Sequence, residues 1–265
     1  MSNPAFDPVA AGYDEQFTHS AVGRLQRALV HKVLDPKIRP GGSVLELNCG
    51  TGEDALWLAQ RGCSVLATDL SAEMLAVTAA KAEQAGLQQL IQTRQLDLRA
   101  LQADSQFDLI LSNFGGLNCL THSELSAFGK TLPQLLQPDG QFVAVVMGRF
   151  CAWESLYFFL KGQARQARRR WNGGPVQAQL DVHTRVPTWY FGPAEFSSFF
   201  PELSVRSVQP IGCWLPPSYL NPWFSRRPWL LRSLNFMEKR CRGSWWAAAA
   251  DHFVVIMGRA SDGLT

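Results

Sequence analysis

The chain has 265 residues, a length that suits one α/β domain with room for an insertion. Hydrophobic residues make up 46% and charged residues 18%, a globular balance that excludes a disordered chain. The net charge is only +3, and no run of about 18 apolar residues exists, so no membrane span is expected.

The opening MSNPAFDPVAAGYDEQF has no basic segment followed by an apolar one, so it does not read as a secretory signal, and a cytoplasmic location is expected. Residues 1–19 look irregular. Val22, Leu25, Leu29 and Val33 fall at helical spacing and predict a helix over 20–34. SVLEL (43–47) is a short apolar run between glycines that suits a buried parallel strand. A helix over 53–62, a strand over 64–69 and a helix over 71–86, capped by Ser71 and stopped at Gly86, follow. Strands are expected at 90–97 and 107–113, then a helix over 122–136 with a kink at Pro133, then a strand over 141–149 after the turn QPDG. This alternation predicts a parallel sheet with helices on both faces.

Regularity then fails. Residues 151–175 look helical and basic, and 176–200 carry a strand or two and a short helix from Pro193. LSVRSVQPIG (203–212) resembles a sixth strand. Residues 213–250 are rich in Trp, Pro and Arg, and DHFVVIMGR (251–259) is a last strand that returns to the sheet. Residues 151–250 hold 13 Lys/Arg against 5 Asp/Glu and eight of the nine tryptophans. The six cysteines are scattered without C-x-x-C, so neither a disulfide frame nor a metal site is expected.

The first strand leads into E46-L47-N48-C49-G50-T51-G52-E53. Gly50 and Gly52 permit a tight turn and close backbone approach to a ligand, and the helix that follows presents free N–H groups. Asp69 ends the second strand, where a carboxylate can accept from both ribose hydroxyls of an adenosine ligand; it also reads as a helix N-cap. This pairing does not distinguish NAD from S-adenosylmethionine (SAM). Three features do. The loop lacks the third glycine of G-x-G-x-x-G, with Leu56 and its neighbours in its place. The third strand ends in Asp97-Leu98. A separate strand closes the chain.

On these residues the sequence resembles the class I SAM-dependent methyltransferase family. VLELNCGTGEDALWLA resembles its first motif and VLATDLSAEML its second; RQLDLR with FDLILSNFGGLNCL resembles the next two, and LLQPDGQFVAVV the strand-five motif. FDPVAAGYD resembles the N-terminal segment whose tyrosine often closes over the cofactor. The match covers about residues 5–149 and 251–259, roughly 60% of the chain. It departs at Asn48-Cys49, where the family usually has Asp or Gly. The resemblance implies a doubly wound, mostly parallel seven-stranded sheet with an antiparallel C-terminal strand. It places Glu46, Asn48, Gly50 and Gly52 around the methionine part of SAM and Asp69 on the ribose. Leu70 and Met74 then flank the adenine, Asp97 and Leu98 meet its edge, and Asn113 holds the methionyl amino group through its backbone. Tyr13 is the lid candidate, with plain packing as its other reading. S-adenosylhomocysteine is the implied product.

Methyl transfer from a sulfonium is an in-line displacement, so a base is needed only when the acceptor must lose a proton. His122, Tyr157 and His183 are the candidates for that role; His252, heading a strand, reads as structural. Phe114, Asn118, Trp153 and Tyr190 are candidate acceptor contacts, and the loop after strand four lacks the N/D-P-P-Y/F/W pattern of exocyclic-amine methylation. The basic, Trp-rich second half reads as a solvated face over a Trp-rich core, as a pocket for a flat or anionic small molecule, as a surface for an anionic membrane, or as a nucleic-acid patch, the last least favoured. The expected organisation is a SAM-binding core with its lid over 1–150, a substrate cap over 151–250 that includes a sheet strand near 203–210, and a final strand and tail over 251–265. The expected function is methyl transfer to a small-molecule acceptor. The alternatives are an NAD(P)-dependent oxidoreductase and a non-catalytic SAM-binding subunit.

Overall fold

A computed structural model describes residues 5–102, 104–180 and 184–260. In chain order the strands are β1 (Ser43–Leu47), β2 (Ser64–Asp69), β3 (Ile91–Gln95), β4 (Phe107–Ser112), β5 (Leu136–Met147), β6 (Val176–Gln179), β7 (Arg185–Thr188), β8 (Leu203–Ile211) and β9 (His252–Arg259). Seven form one sheet in the order β3-β2-β1-β4-β5-β9-β8, and β6 and β7 form a separate hairpin. β1 to β5 pair in parallel, and β9 runs antiparallel between β5 and β8. Strand order reverses between β1 and β4, which opens a crevice beyond their carboxyl ends.

Local chemistry sets the helix starts. In α1 (Ala21–Leu34), Ser20 accepts from the Gly23 N–H; α2 (Glu53–Ala59) opens on Gly52 at φ 78°. In α3 (Ala72–Gln84) Ser71 accepts from the Met74 N–H, and α4 (His122–Thr131) begins on a Thr121–Glu124 capping box. Pro133 does not kink α4, as the sequence suggests, but ends it. The helix stops at Thr131 and a 3₁₀ turn covers Leu132–Leu135, because proline has no N–H to continue the ladder. β5 starts earlier than expected, since the QPDG segment runs on as a bulged strand with a register shift against Phe107 and Leu109. It stops at Met147, because the Gly148 N–H donates to Asp251 and that of Arg149 to Phe191.

Both sheet faces are covered. One carries Leu47, Ile110, Leu125, Phe142 and the phenylalanines of 191–200; the other carries Val30, Leu34, Leu58, Val65 and Val254. The helical stretch expected over 151–175 is two pieces, α5 (Ala152–Leu160) and α6 (Ala164–Ala167). After α7 (Pro193–Ser198) come α8 (Asn221–Phe224), α9 (Pro228–Glu238) and α10 (Ser244–Ala247). A third small core joins Val22 of α1 to Trp153 and Tyr157 of α5, Phe224 of α8 and Leu231 and Leu234 of α9.

Two buried ionic devices fix this second half over the carboxyl rim. Arg170 pairs with Glu154 and Asp251 at 2.9 Å each and donates to the Gly148 carbonyl, so the segment after α6 is tied to the ends of β5 and β9. The buried carboxylate of Glu238 accepts from the main-chain N–H groups of Gly212, Cys213, Trp214 and Leu215 at 2.6–3.2 Å, which clamps α9 to the turn after β8. All six cysteines are unpaired. Among the described residues no helix is long and apolar enough to cross a membrane.

Candidate cofactor and acceptor site

The β1–α2 turn lies at the crevice. Gly50 and Gly52 adopt φ 56° and 78°, conformations glycine reaches without a Cβ clash. At Gly52 an added Cβ would fall 2.5 Å from Thr78, so close loop-to-helix packing also requires glycine. Asp69, at the end of β2, accepts from the Gly50 N–H and the Ser71 N–H at 2.9 Å each. It therefore closes the turn into α3, whose N-cap is Ser71 rather than Asp69, and also faces the glycine loop. Burial lifts its carboxyl above the ordinary carboxylate range, against the pull of those amides.

Glu46 is buried at the end of β1, and its Oε2 has no hydrogen-bond partner. Burial, then the Asp54 charge, with Asp69 adding to it, push the Glu46 carboxyl well above its usual value, and Arg27 offsets part of the rise. An orphaned buried acid beside a left-handed glycine loop is a position prepared for a cation or a hydrogen-bond donor. The α-ammonium group of SAM fits that demand, and the Asp69 carboxylate suits a ribose diol.

The sequence gives no sign of the network beneath these residues. Asp54, in the first turn of α2, is buried and accepts from Arg27 Nη1, from Asn113 Nδ2 at 2.8 Å and from His31 Nε2 at 2.7 Å. Burial opposes its ionisation, but Arg27 and His31 hold its carboxyl far below the ordinary range. His31 stacks on Trp57 with ring centroids 3.9 Å apart, and the Arg27 guanidinium lies 5.3 Å over the Phe114 ring. Arg27 and His31 are one helical turn apart on α1, which alone reads as a polar face. Asn113 Oδ1 is also buried without a partner, and its main-chain carbonyl accepts from Asn48 Nδ2 at 3.0 Å. A carbonyl has a second lone pair, so that atom keeps capacity for another donor.

Asn48 itself sits at φ 47°, the left-handed region, and accepts from the Ser112 hydroxyl at 2.7 Å. Its side chain fills the space beside Gly116, where a Cβ would fall 2.1 Å from it. Phe114, at φ 46°, is the other non-glycine residue with positive φ among the described residues.

The N-terminal segment, expected to be irregular, forms a 3₁₀ turn over Asp7–Gly12 and a π turn over Asp14–Thr18. It lies over the glycine loop. Asp14 accepts from the Thr51 hydroxyl at 2.6 Å and pairs with Lys81 at 2.5 Å, Lys81 also reaches Glu53 at 2.7 Å, and Asp7 accepts from the Ser71 hydroxyl. Burial works against the Asp14 charge, but the hydrogen bonds from Lys81, Thr51 and Thr18 keep its carboxyl below the usual range. Tyr13 packs with Val9, Ala10 and Met74, joined by Leu180 at the end of β6. Burial raises the Tyr13 phenol above its ordinary value, Arg27 pulls it back, and Asp69 pushes it up again. Met74 is thus a buried support for the cover, while Leu70 is exposed. Asp97 caps the 3₁₀ turn that contains Leu98 and is held by Arg99 Nη2 at 2.6 Å, which lowers its carboxyl.

The base candidates do not converge. His122 lies 3.5 Å from Glu195 and edge-on to Phe191 and Phe199. Tyr157 accepts from Lys161 at 2.5 Å in the third core. His183 lies outside the described residues. Of the acceptor candidates, Phe114 sits at the crevice, edge-on to His252. Asn118 is fully buried. Its amide donates to the Met147 and Trp189 carbonyls at 3.3 and 2.6 Å and its oxygen accepts from the Met147 N–H, so it shapes the rim rather than presenting a free group. Trp153 Nε1 donates to the Trp214 carbonyl at 2.8 Å, and Tyr190 is buried under Arg170. Cys119, which sequence reasoning passed over, is electrostatically coupled to Tyr13 and Asp69, and burial followed by Asp69 pushes its thiol up to about 11.

Comparison with known proteins agrees with this geometry. Residues 44–140 match the methyltransferase domain family. Over 133 residues, 49% of this chain and 51% of the relative, the chain is 32% identical to a putative methyltransferase, YqeM, of Bacillus subtilis. Over 148 residues, 54% of this chain and 57% of the relative, it is 33% identical to the ubiquinone/menaquinone biosynthesis C-methyltransferase UbiE of Acidiphilium cryptum. The chain thus spans about half the length of the curated relatives it matches. In fold it is similar to the CcbJ methyltransferase of Streptomyces caelestis, with TM-score 0.66, 17% identity and coverage of 98% and 99% of the two chains. It is also similar to DhpI in complex with SAH, with TM-score 0.59, 18% identity and coverage of 97% and 94%.

Proposed function

We propose that this chain, whose residues 44–140 match the methyltransferase domain family, is a class I SAM-dependent methyltransferase that moves a methyl group from SAM to a small-molecule acceptor. The observation that carries this is Glu46: a buried acid with an orphaned oxygen at the carboxyl end of β1, beside the left-handed glycine loop. In this reading Glu46 and the main chain around Asn113 take the amino-acid end of SAM, the Gly50–Gly52 loop approaches its backbone, and Asp69 takes the ribose hydroxyls. Leu70, Asp97 and Leu98 border the adenine. Asn48 stiffens the turn between the two strands.

Bound SAM supplies a methyl group already activated on a sulfonium centre. The protein's part is alignment and exclusion of water. The Asp7–Thr18 cover, pinned by Asp14 and Asp7, closes over the loop with Tyr13 on its inner side. The Arg27–Asp54–His31–Asn113 network fixes the floor, and Phe114 presents its ring beyond it. Burial raises both the Tyr13 phenol and the Cys119 thiol above their ordinary values, which works against either serving as a base. This suits an acceptor that needs no strong base.

The acceptor enters between the rim and the second half of the chain, where Trp153, Tyr157 and Phe224 surround an apolar core. An aromatic or lipid-like body is the finer reading, in keeping with the quinone named for the UbiE relative. An NAD(P)-dependent oxidoreductase is disfavoured by the antiparallel β9 inside the sheet.

Calorimetric titration of the full chain with SAM, SAH and NAD tests the cofactor. The expectation is binding of SAM and SAH and none of NAD; NAD binding without SAM binding overturns the reading. Mass spectrometry of a panel of quinols, phenols and fatty acids incubated with SAM and enzyme then reads the acceptor as a gain of one methyl group. SAM binding with no transfer across those classes would favour the non-catalytic subunit.

A further inference from the structure

The second half of the chain has an outer surface that the methyl-transfer site does not use. In α9 Leu231, Leu234 and Glu238 point inward, and Trp229, Arg232, Phe236 and Arg240 lie on the opposite side of the helix. In α5 Trp153, Glu154 and Tyr157 face the protein, and Leu156, Phe159 and Leu160 face out. Both helices pack on the same small core, so these outward sides belong to one outer layer of the molecule. Phe159, Leu160, Trp229, Phe236 and Trp245 are 60–76% exposed. Large apolar side chains left this open in numbers mark an interaction surface.

Charge identifies the occupant. Residues 152–180 contain one acidic side chain, Glu154, and residues 219–245 contain one, Glu238. Both are buried: Glu154 holds Arg169 and Arg170, and Glu238 holds four main-chain amides. No acid of these segments therefore reaches the surface, while Lys161, Arg165, Arg226, Arg232, Lys239 and Arg240 are all exposed. The arginines also sit at the rings: Arg227 lies 3.9 Å over Trp223 and Arg240 3.5 Å over Phe236. Ring plane and guanidinium are thus presented together, an arrangement that matches a headgroup layer with acyl chains below it.

We propose that the face formed by α5, the segment around α8, and α9 docks on an anionic lipid bilayer, with Phe159, Leu160, Trp229 and Phe236 entering the interface and the surrounding Lys and Arg pairing with lipid phosphates. Leucine and phenylalanine at the most exposed positions favour hydrocarbon over a polynucleotide groove. Docking is independent of what the glycine loop binds, so failure of either reading leaves the other standing.

Flotation of the full chain with vesicles tests the surface, comparing phosphatidylcholine alone with phosphatidylcholine–phosphatidylglycerol mixtures at low and high salt. The expected result is recruitment to the mixed vesicles only, weakened by salt. Replacing Arg232 and Arg240 together by Gln should lower the partition by about 25-fold, at about fivefold per charge. Replacing Trp229 and Phe236 by Ser should abolish stable recruitment while the circular dichroism melt stays at the wild-type temperature, since both side chains are exposed. Absence of the wild-type chain from the mixed-vesicle fraction overturns the proposal, and equal recruitment to neutral vesicles overturns its charge basis. Two other outcomes replace the bilayer by another occupant: retention by an oligonucleotide without flotation, or a dimer in sedimentation that W229S/F236S dissociates, again without flotation.

Discussion

Glu46→Gln separates stability from cofactor binding in opposite directions. The wild-type carboxyl is buried, faces the Asp54 and Asp69 charges, and leaves Oε2 unpaired. Gln keeps the shape and removes the charge, and its amide faces two acids that can accept from it. Relief of one unsatisfied buried polar atom is worth about 1–3 kcal/mol, so the variant should unfold at a higher urea concentration with an unchanged m-value. The raised carboxyl fixes the sign with pH. Glu46 contributes its stability fully below the ordinary glutamate value of 4.5 and loses it as pH rises through its higher folded value. The advantage of Gln should therefore vanish in acid and grow toward neutral pH. SAM affinity, in contrast, should fall by about 10- to 100-fold, the worth of a charged hydrogen bond. Denaturation across pH beside calorimetry reads both. A variant less stable at neutral pH, or one that binds SAM as the wild type does, refutes the assignment of Glu46 as a ligand position held at the expense of stability.

Asp69→Ala should weaken SAM binding by about 1–3 kcal/mol in calorimetry; unchanged affinity would show that the ribose contact lies elsewhere. Asp54→Asn strands the Arg27 guanidinium and should lower stability by about 3 kcal/mol in urea. Asp54 is depressed in the fold, so its contribution is present above the ordinary aspartate value of 3.8 and lost as pH falls below it, and the variant's acid limb should be flatter than the wild type's. Asp14→Asn weakens a partly solvated pin of the cover; the loss should be about threefold in SAM affinity, with faster proteolysis within residues 5–18 and protection restored by saturating SAM. Glu238→Ala orphans four main-chain amides and should cost about 2–5 kcal/mol, read as a lower thermal midpoint.

The sheet was legible because β1, β2 and β4 are short, mostly apolar runs, whereas the edge strand β3, IQTRQ, is polar and largely exposed and carries the weakest pattern. β1, β2 and α3 therefore fall within a few residues of where their patterns place them. The Arg27–Asp54–His31 network was not legible, since each member is an ordinary surface residue within its own helix and only tertiary contact buries it. α1 shows why. Its apolar spacing points to Val22, Leu25, Leu29 and Val33, but the fully buried stripe is Val22, Gln26, Val30 and Leu34. The helix is packed on two sides, with Val30 and Leu34 on the sheet and Leu25 and Leu29 toward the second half, so one amphipathic stripe does not describe it. The second half was opaque for a related reason. Arg170 and Glu238 count as surface charge in a composition, whereas in the fold each is the buried anchor of an irregular segment.

The crevice itself shows how the departure at Asn48 is accommodated. A non-glycine residue held in the left-handed region costs about 1–3 kcal/mol, and it persists only where its surroundings over-determine it. Asn tolerates that region better than most residues, and here its amide earns its place twice, by accepting from Ser112 and donating to the Asn113 carbonyl. Those two bonds tie the carboxyl end of β1 to that of β4 across the switch point. Glycine at this position would relieve the strain but would remove the tie. Phe114 follows directly and carries the second left-handed conformation, fixed by Arg27 above its ring and His252 at its edge. Asn113 thus meets both strained residues, Asn48 through the bond to its carbonyl and Phe114 as its neighbour in the chain, and its amide oxygen is buried without a partner. A segment this constrained by its neighbours also carries an unmet hydrogen bond. In the proposed reading that combination makes a rigid binding wall: the bonds to Asn48 and Asp54 hold Asn113 in place, and a donor from the cofactor completes it.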